Sequence, residues 1–128
     1  MKIIGIGVDI VNNERIKKSI NDRKFVNRVF SKVEIIYSKK IKNKSSYFAK
    51  RFAAKESLSK AIGTGFRKGL NFKDISIVND KKGKPYYKLN NNVKKLIYSI
   101  FKVKKIKISL SLADEKKYSI AFSVIHKW

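Results

Sequence analysis

The first ten positions set large aliphatic side chains against small or acidic ones. Ile4, Ile6, Val8 and Ile10 share one face of a strand expected over residues 3–11, and Gly5, Gly7 and Asp9 share the other. Two glycines weaken a strand, so they need a reason, and one is that another group must approach the backbone closely. Asp9 is the first polar group on that cleared face. A core strand under a helix, with Asp9 as a helix cap, accounts for the same residues, and Asn12 and Asn13 also suit a helix start. From residue 13 to 41 the pattern turns helical, broken near Asn21–Asp22 and at Ser31, with Ile16, Ile20, Phe25, Val29 and Phe30 on the apolar side. Ser31 and Glu34 have capping-box spacing.

A polar break, Asn43-Lys44-Ser45-Ser46, precedes a long helix to Ile62, with a serine as the expected cap. Its second half, RFAAKESLSKAIGTG over 51–65, has Ala53, Ala54 and Ala61 to favour helix and Gly63 and Gly65 to stop it. A loop over 66–71 leads to a strand over 75–79, a turn at Asp80-Lys81-Lys82-Gly83 and a return strand through Pro85-Tyr86-Tyr87. Residues 90–101 form a short helix with Val93, Leu96, Ile97, Ile100 and Phe101 inward. Ile106, Ile108, Leu110 and Leu112 alternate, residues 113–117 turn, and Tyr118, Ile120, Phe122 and Val124 alternate back. This order predicts a single α+β domain over residues 1–128, its mostly antiparallel sheet packed against the long helix.

Composition narrows the partners. With 32 Lys+Arg against 9 Asp+Glu, the formal net charge of +23 points to a polyanionic partner. Only five of the cations are arginines (15, 23, 28, 51 and 67), too few for a dedicated reader of phosphate backbones. Lysine, isoleucine and asparagine are over-used together, as codon drift in an AT-rich genome produces, so drift and function stand level as sources of the charge. No run of 18 apolar residues crosses a membrane, and the absence of cysteine removes disulfide and thiolate chemistry. A cytoplasmic location is the default expectation.

Among so few acids, Asp9 and Glu56 are the two set in structured, partly apolar stretches. Two carboxylates suit Mg²⁺, which completes its shell with water and substrate phosphates. Lys55, Lys60 and Arg51 are then expected to hold the same phosphates, although Glu56 and Lys60, at i and i+4, also read as a plain helical ion pair. Gly63-Thr64-Gly65 can bring backbone N–H groups close to a ligand. A glycosidase pair of carboxylates fits poorly among so many cations, which suit an anionic substrate better. His126, the only histidine, has no serine–acid constellation around it.

GIGVDI (5–10) followed by Arg15-Ile16, RFAAKESLSKAIGTG (51–65), FKDISI (72–77) and GKP (83–85) resemble the holo-acyl-carrier-protein synthases, the small bacterial 4′-phosphopantetheinyl transferases, in order and spacing over essentially the whole chain. The resemblance implies that fold, with Mg²⁺-dependent transfer of 4′-phosphopantetheine from coenzyme A to a serine of an acidic apo-acyl carrier protein and release of adenosine 3′,5′-bisphosphate. It implies Asp9 and Glu56 as metal-binding acids, Lys60 beside the reacting phosphate, Arg51 and Gly63, Thr64 and Gly65 in the coenzyme A-binding block, and Arg15 facing the carrier. It further implies a homotrimer with active sites between subunits. Glu56 and a metal-bound water both remain open as proton acceptor. Residues 109–112 read Ser-Leu-Ser-Leu where the family ends a strand S-x-[ST]-H, so Leu112 is read in place of a histidine that helps hold coenzyme A. A basic nucleic-acid-binding module explains the charge but not GIGVDI together with RFAAKE, and it lacks an aromatic RNP-like stripe. An inactive relative, silenced with the histidine, is the third reading.

Overall fold

In the computed structural model, which describes residues 1–66 and 69–128, the chain runs β1 (Lys2–Asn12), α1 (Asn13–Ser19), α2 (Arg23–Val29), α3 (Lys32–Ser38) and α4 (Lys44–Ile62), then a 3₁₀ turn (Phe72–Asp74), β2 (Ile75–Asn79), β3 (Pro85–Leu89), α5 (Asn91–Phe101), β4 (Ile106–Asp114) and β5 (Tyr118–Lys127). The expected loop over 66–71 includes residues 67 and 68, which lie outside the described residues. All strand pairing is antiparallel, but it divides into two sheets, β1-β5-β4 and β2-β3, rather than one. α4 lies across the inner face of the larger sheet, and no helix among the described residues is long and apolar enough to cross a membrane.

The glycines of β1 explain how closely α4 sits. A Cβ on Gly7 would run into the Ser57 carbonyl and stand 2.8 Å from the Ala61 nitrogen, and one on Gly5 would strike the Ala61 carbonyl. The group approaching the strand backbone is thus the central helix itself. Many of the neighbouring positions are small too: Ala53, Ala54, Ser57 and Ala61 on α4 and Ser119, Ala121 and Ser123 on β5 are all buried, with Ile125 the large side chain beside Gly5. Tyr87 reaches in from the small sheet, its hydroxyl donating to the Ala54 carbonyl at 2.5 Å and lying 2.7 Å from Ser123 Oγ. Burial pushes that phenol up to about 12.

With small residues inside, the bulky aliphatics of β1 face out. Ile6 (59% exposed), Val8 (53%) and Ile10 (60%) line the outer face beside Ile120 and Phe122, and the register sets Val8 opposite Phe122 and Ile10 opposite Ile120. β4 does the reverse, turning Leu110 into the core. The main apolar core lies under the helices, where Phe30, Phe48 and Phe25 make edge and tilted contacts.

Two caps differ from expectation. Asn43, not a serine, caps α4, its side chain accepting from the Ser46 backbone N–H at 3.1 Å. Asn12 caps α1, leaving Asp9 free of that duty. At the other end, Gly63 closes α4 in the left-handed conformation (φ 93°) as expected.

A larger difference concerns Lys55, expected among the phosphate-holding cations. It is fully buried, its Nζ 2.7 Å from Glu34 Oε1 and donating to the carbonyls of Phe72 and Ile75 at 2.9 and 2.6 Å. Glu34 accepts in turn from the backbone N–H of Ser31, completing the expected cap, and from that of Ile77, each at 2.9 Å. The pair fastens α3, α4 and β2 together, and no phosphate can reach it. Burial lowers the Lys55 pKa against the opposing pull of Glu34.

Gly7→Ala is expected to destabilise the protein by about 3 kcal/mol, because it overpacks against backbone that has no rotamer to yield. Urea unfolding of Gly7→Ala beside an exposed control such as Lys88→Ala measures it; a loss under about 0.5 kcal/mol would mean that helix and strand part easily.

Candidate active site

Asp9 lies on the inner face of β1, two residues beyond Gly7, beside the last turns of α4. Lys60 comes from that helix and donates from Nζ to Asp9 Oδ1 at 3.0 Å and to the Val8 carbonyl at 3.1 Å. The ion pair of Lys60 is therefore with Asp9 across the helix–strand contact, not with Glu56 one turn back. Its side chain remains half exposed and can turn to a ligand, whereas that of Asp9 is only 15% exposed.

Glu56 completes the cluster from the same side of α4. Its carboxyl pKa is raised, first by burial and then by the negative charge of Asp9, with Lys60 and Arg15 opposing. Arg15 stands in the first turn of α1, exposed, and its field reaches Glu56. The structure thus brings four of the anticipated residues together: Asp9, Glu56, Lys60 and Arg15. Two crowded carboxylates, one of them part-buried, make an arrangement that a divalent cation relieves. Mg²⁺ takes one or two carboxylates and fills its shell with water and phosphate oxygens, and no group of three or more potential side-chain ligands occurs among the described residues.

Gly63, Thr64 and Gly65 follow directly. Gly63 N–H and Gly65 N–H both donate to the Ser59 carbonyl, at 3.0 and 3.3 Å, and Thr64 Oγ1 donates to the Gly65 carbonyl. Gly65 is also left-handed (φ 59°), and the space beside both glycines is open. The turn is a cap first, with room for a ligand alongside.

Arg51 is elsewhere. Five residues before Glu56, it projects about 140° around the helix from it. It is 4% exposed, its guanidinium 4.0 Å from the centre of the Tyr47 ring and donating to Asn79 Oδ1 at 2.6 Å. Its Nε has no acceptor among the described residues. Beside it opens a cavity of about 310 Å³ lined by Lys50, Asn79, the Gly83-Lys84-Pro85 turn, Leu112 and Asp114. Leu112 lies in the same cross-strand row as Asp9, with Ala121 between them, so two strand spacings, about 10 Å, separate the two sides of α4 at that level. Two residues further along β4, Asp114 brings a carboxylate to the cavity. Lys50, Lys84 and Asp114 were not anticipated as site residues; the GKP turn and the i,i−1 position of Lys50 to Arg51 were the available signals.

Comparison with known proteins agrees with this geometry. Residues 5–123 match the 4′-phosphopantetheinyl transferase superfamily. The chain is 55% identical over 127 residues to the holo-[acyl-carrier-protein] synthase of Pelagibacter ubique, covering 99% of each. It is 46% identical to that of Orientia tsutsugamushi strain Ikeda, covering 96% of each. Among solved structures, the holo-[acyl-carrier-protein] synthase of Neisseria meningitidis superposes with a TM-score of 0.88 at 35% identity, covering 98% of this chain and 99% of that one. The Bacillus anthracis enzyme in complex with CoA (3′,5′-ADP) gives 0.83 at 32% identity, covering 100% of both.

The raised pKa of Glu56 has a measurable signature. Between the ordinary carboxyl value of 4.5 and its raised value, the folded chain holds more protons than the unfolded one, so stability falls as pH rises through that window. Glu56→Gln is expected to be more stable than the parent at neutral pH and equal to it below pH 4.5. Thermal unfolding of both across that range tests this, and a Gln variant less stable at pH 7 contradicts it.

Proposed function

The chain belongs to the 4′-phosphopantetheinyl transferase superfamily, and from that footing we propose that it is a one-domain holo-[acyl-carrier-protein] synthase, moving 4′-phosphopantetheine from coenzyme A to a serine of an acidic apo-acyl carrier protein. The observation that carries this reading is the meeting of Asp9 from GIGVDI with Lys60 and Glu56 from RFAAKESLSK at one backbone contact. The serine oxygen bonds to the phosphorus nearest the pantetheine, the bond from that phosphorus to the bridging oxygen breaks, and adenosine 3′,5′-bisphosphate leaves. Little covalent work falls to the protein; positioning and charge do most of it.

Asp9 and Glu56 are the residues that would hold Mg²⁺. When bound, the ion supplies positive charge to the pyrophosphate oxygens and the leaving bisphosphate. Lys60 leaves Asp9 to hold a phosphate oxygen of the substrate. Glu56 takes the serine proton, directly or through water. Arg15, exposed at the rim, meets the acidic carrier, and the overall +23 charge speeds the encounter. Gly63, Thr64 and Gly65 border the coenzyme, and Arg51 with the cavity beside it takes the coenzyme's nucleotide end. A reaction that consumes coenzyme A and apo-carrier protein belongs to the cytoplasm.

The metal cluster and the Arg51 cavity open on different sides of α4, which favours an active site assembled from two copies. The outward face of Ile6, Val8, Ile10, Ile120 and Phe122 supplies the surface for such packing, and a homotrimer closes it.

Incubation with coenzyme A, Mg²⁺ and an apo-carrier protein is expected to add one phosphopantetheine to the carrier by mass spectrometry, and Asp9→Ala with Glu56→Ala to lower the rate by at least about 10³-fold. An unmodified carrier rejects the transferase, and activity surviving the double substitution rejects the metal site. For assembly, Phe122→Lys is expected to give folded monomers by sedimentation and to abolish transfer. A parent protein that sediments as a monomer while active contradicts the shared site.

A further inference from the structure

An anion site that contains its own anion calls for explanation. The cavity beside Arg51 presents three cations, Lys50, Arg51 and Lys84, yet Asp114 stands on its wall. That carboxylate is fixed from two sides. Its Oδ2 accepts from Ser46 Oγ at 2.7 Å, and its Oδ1 lies 3.7 Å from Lys50 Nζ. Ser46 and Lys50 are one turn apart on α4, so Asp114 clips the end of β4 to the start of the helix and occupies one of the cavity's cations. Arg51 is in the opposite condition, buried, with its Nε left without an acceptor among the described residues.

We propose that Asp114 is a counter-charge that limits how tightly this cavity holds a phosphate group, so that a phosphorylated nucleotide binds selectively but leaves readily. The inference rests on the reading of the cavity as the seat of the coenzyme's nucleotide end. Three cations without Asp114 make a strong trap for any phosphate, including the bisphosphate product that must depart in each turnover. With Asp114 in place, an arriving phosphate competes with a built-in carboxylate for Lys50 and feels its repulsion, while Arg51 remains free to donate. Selectivity then comes from the unpaired Nε of Arg51, and release from the carboxylate. On the β4 wall Leu110 and Leu112 are apolar, and Ser111 between them adds one hydroxyl and no charge.

The test is calorimetric titration of the parent and Asp114→Asn with adenosine 3′,5′-bisphosphate, and with adenosine as the phosphate-free probe, at low and physiological salt. Asparagine keeps the shape and can still accept from Ser46. The bisphosphate is expected to bind the variant about tenfold more tightly, with a steeper loss of affinity as salt rises, while adenosine binding is unchanged. In turnover, the variant is expected to show stronger product inhibition and a lower kcat with KM for coenzyme A unchanged or reduced. Asp114→Ser, which is smaller and also neutral, should shift affinity the same way if charge is the cause. Bisphosphate that binds the parent but binds both variants equally or more weakly overturns the counter-charge. A parent that binds no bisphosphate overturns the coenzyme reading of the cavity and the proposal with it.

Discussion

The contact on which the architecture depends is between two backbones. β1 presents Gly5 and Gly7 to the carbonyls of Ala61 and Ser57, and any side chain there would collide with main chain rather than with a movable group. Helix and strand therefore meet at close range, and the neighbouring positions must be small as well. Bulky residues that would ordinarily fill a strand's inner face are displaced to the outer one. Asp9 and Glu56 owe their proximity to the same contact, since nothing thicker than a glycine separates the elements that bear them.

The buried Lys55–Glu34 pair plays a different part. It joins α4 to α3 and to the start of β2, and its remaining bonds go to backbone carbonyls and N–H groups rather than to solvent. Removing one member of such a pair leaves an uncompensated charge in the interior, at a cost of about 3–5 kcal/mol. Successive letters of RFAAKE thus answer to different needs. Arg51 faces the cavity, Ala53 and Ala54 keep the helix thin, Lys55 fastens the helical layer, and Glu56 faces Asp9 and Lys60. The block is compact because one helix passes through every functional region.

Much of the fold was legible because alternation and helical periodicity mark faces, and glycine, asparagine and proline mark ends. Every strand and helix falls close to its expected position, and the Gly63 stop is where composition put it. Periodicity does not say which face turns inward. Ile6, Val8 and Ile10 form the exposed face, because Gly5 and Gly7 opposite them admit the central helix. Lys55 reads as a phosphate-holding cation because, in sequence, a buried lysine differs from an exposed one only in its tertiary partners. Lys60 found Asp9, 51 residues away, in preference to Glu56 one helical turn away. The pairing of Asp9 with Glu56 was legible from motif resemblance and from the scarcity of acids. Asp114 was not, since a turn-flanking aspartate carries no mark of the cavity its strand borders.

A protomer alone keeps Ile6, Val8, Ile10, Ile120 and Phe122 in water. Covering that stripe by association stabilises only the folded chain, and by mass action the benefit grows with the concentration of protomers. In the proposed homotrimer the free energy of unfolding is a property of a population as much as of a chain. Dilution loosens it, while expression to higher copy number tightens it. Whatever competes for the stripe, a foreign apolar surface or an unfolded neighbour, draws on the same reserve.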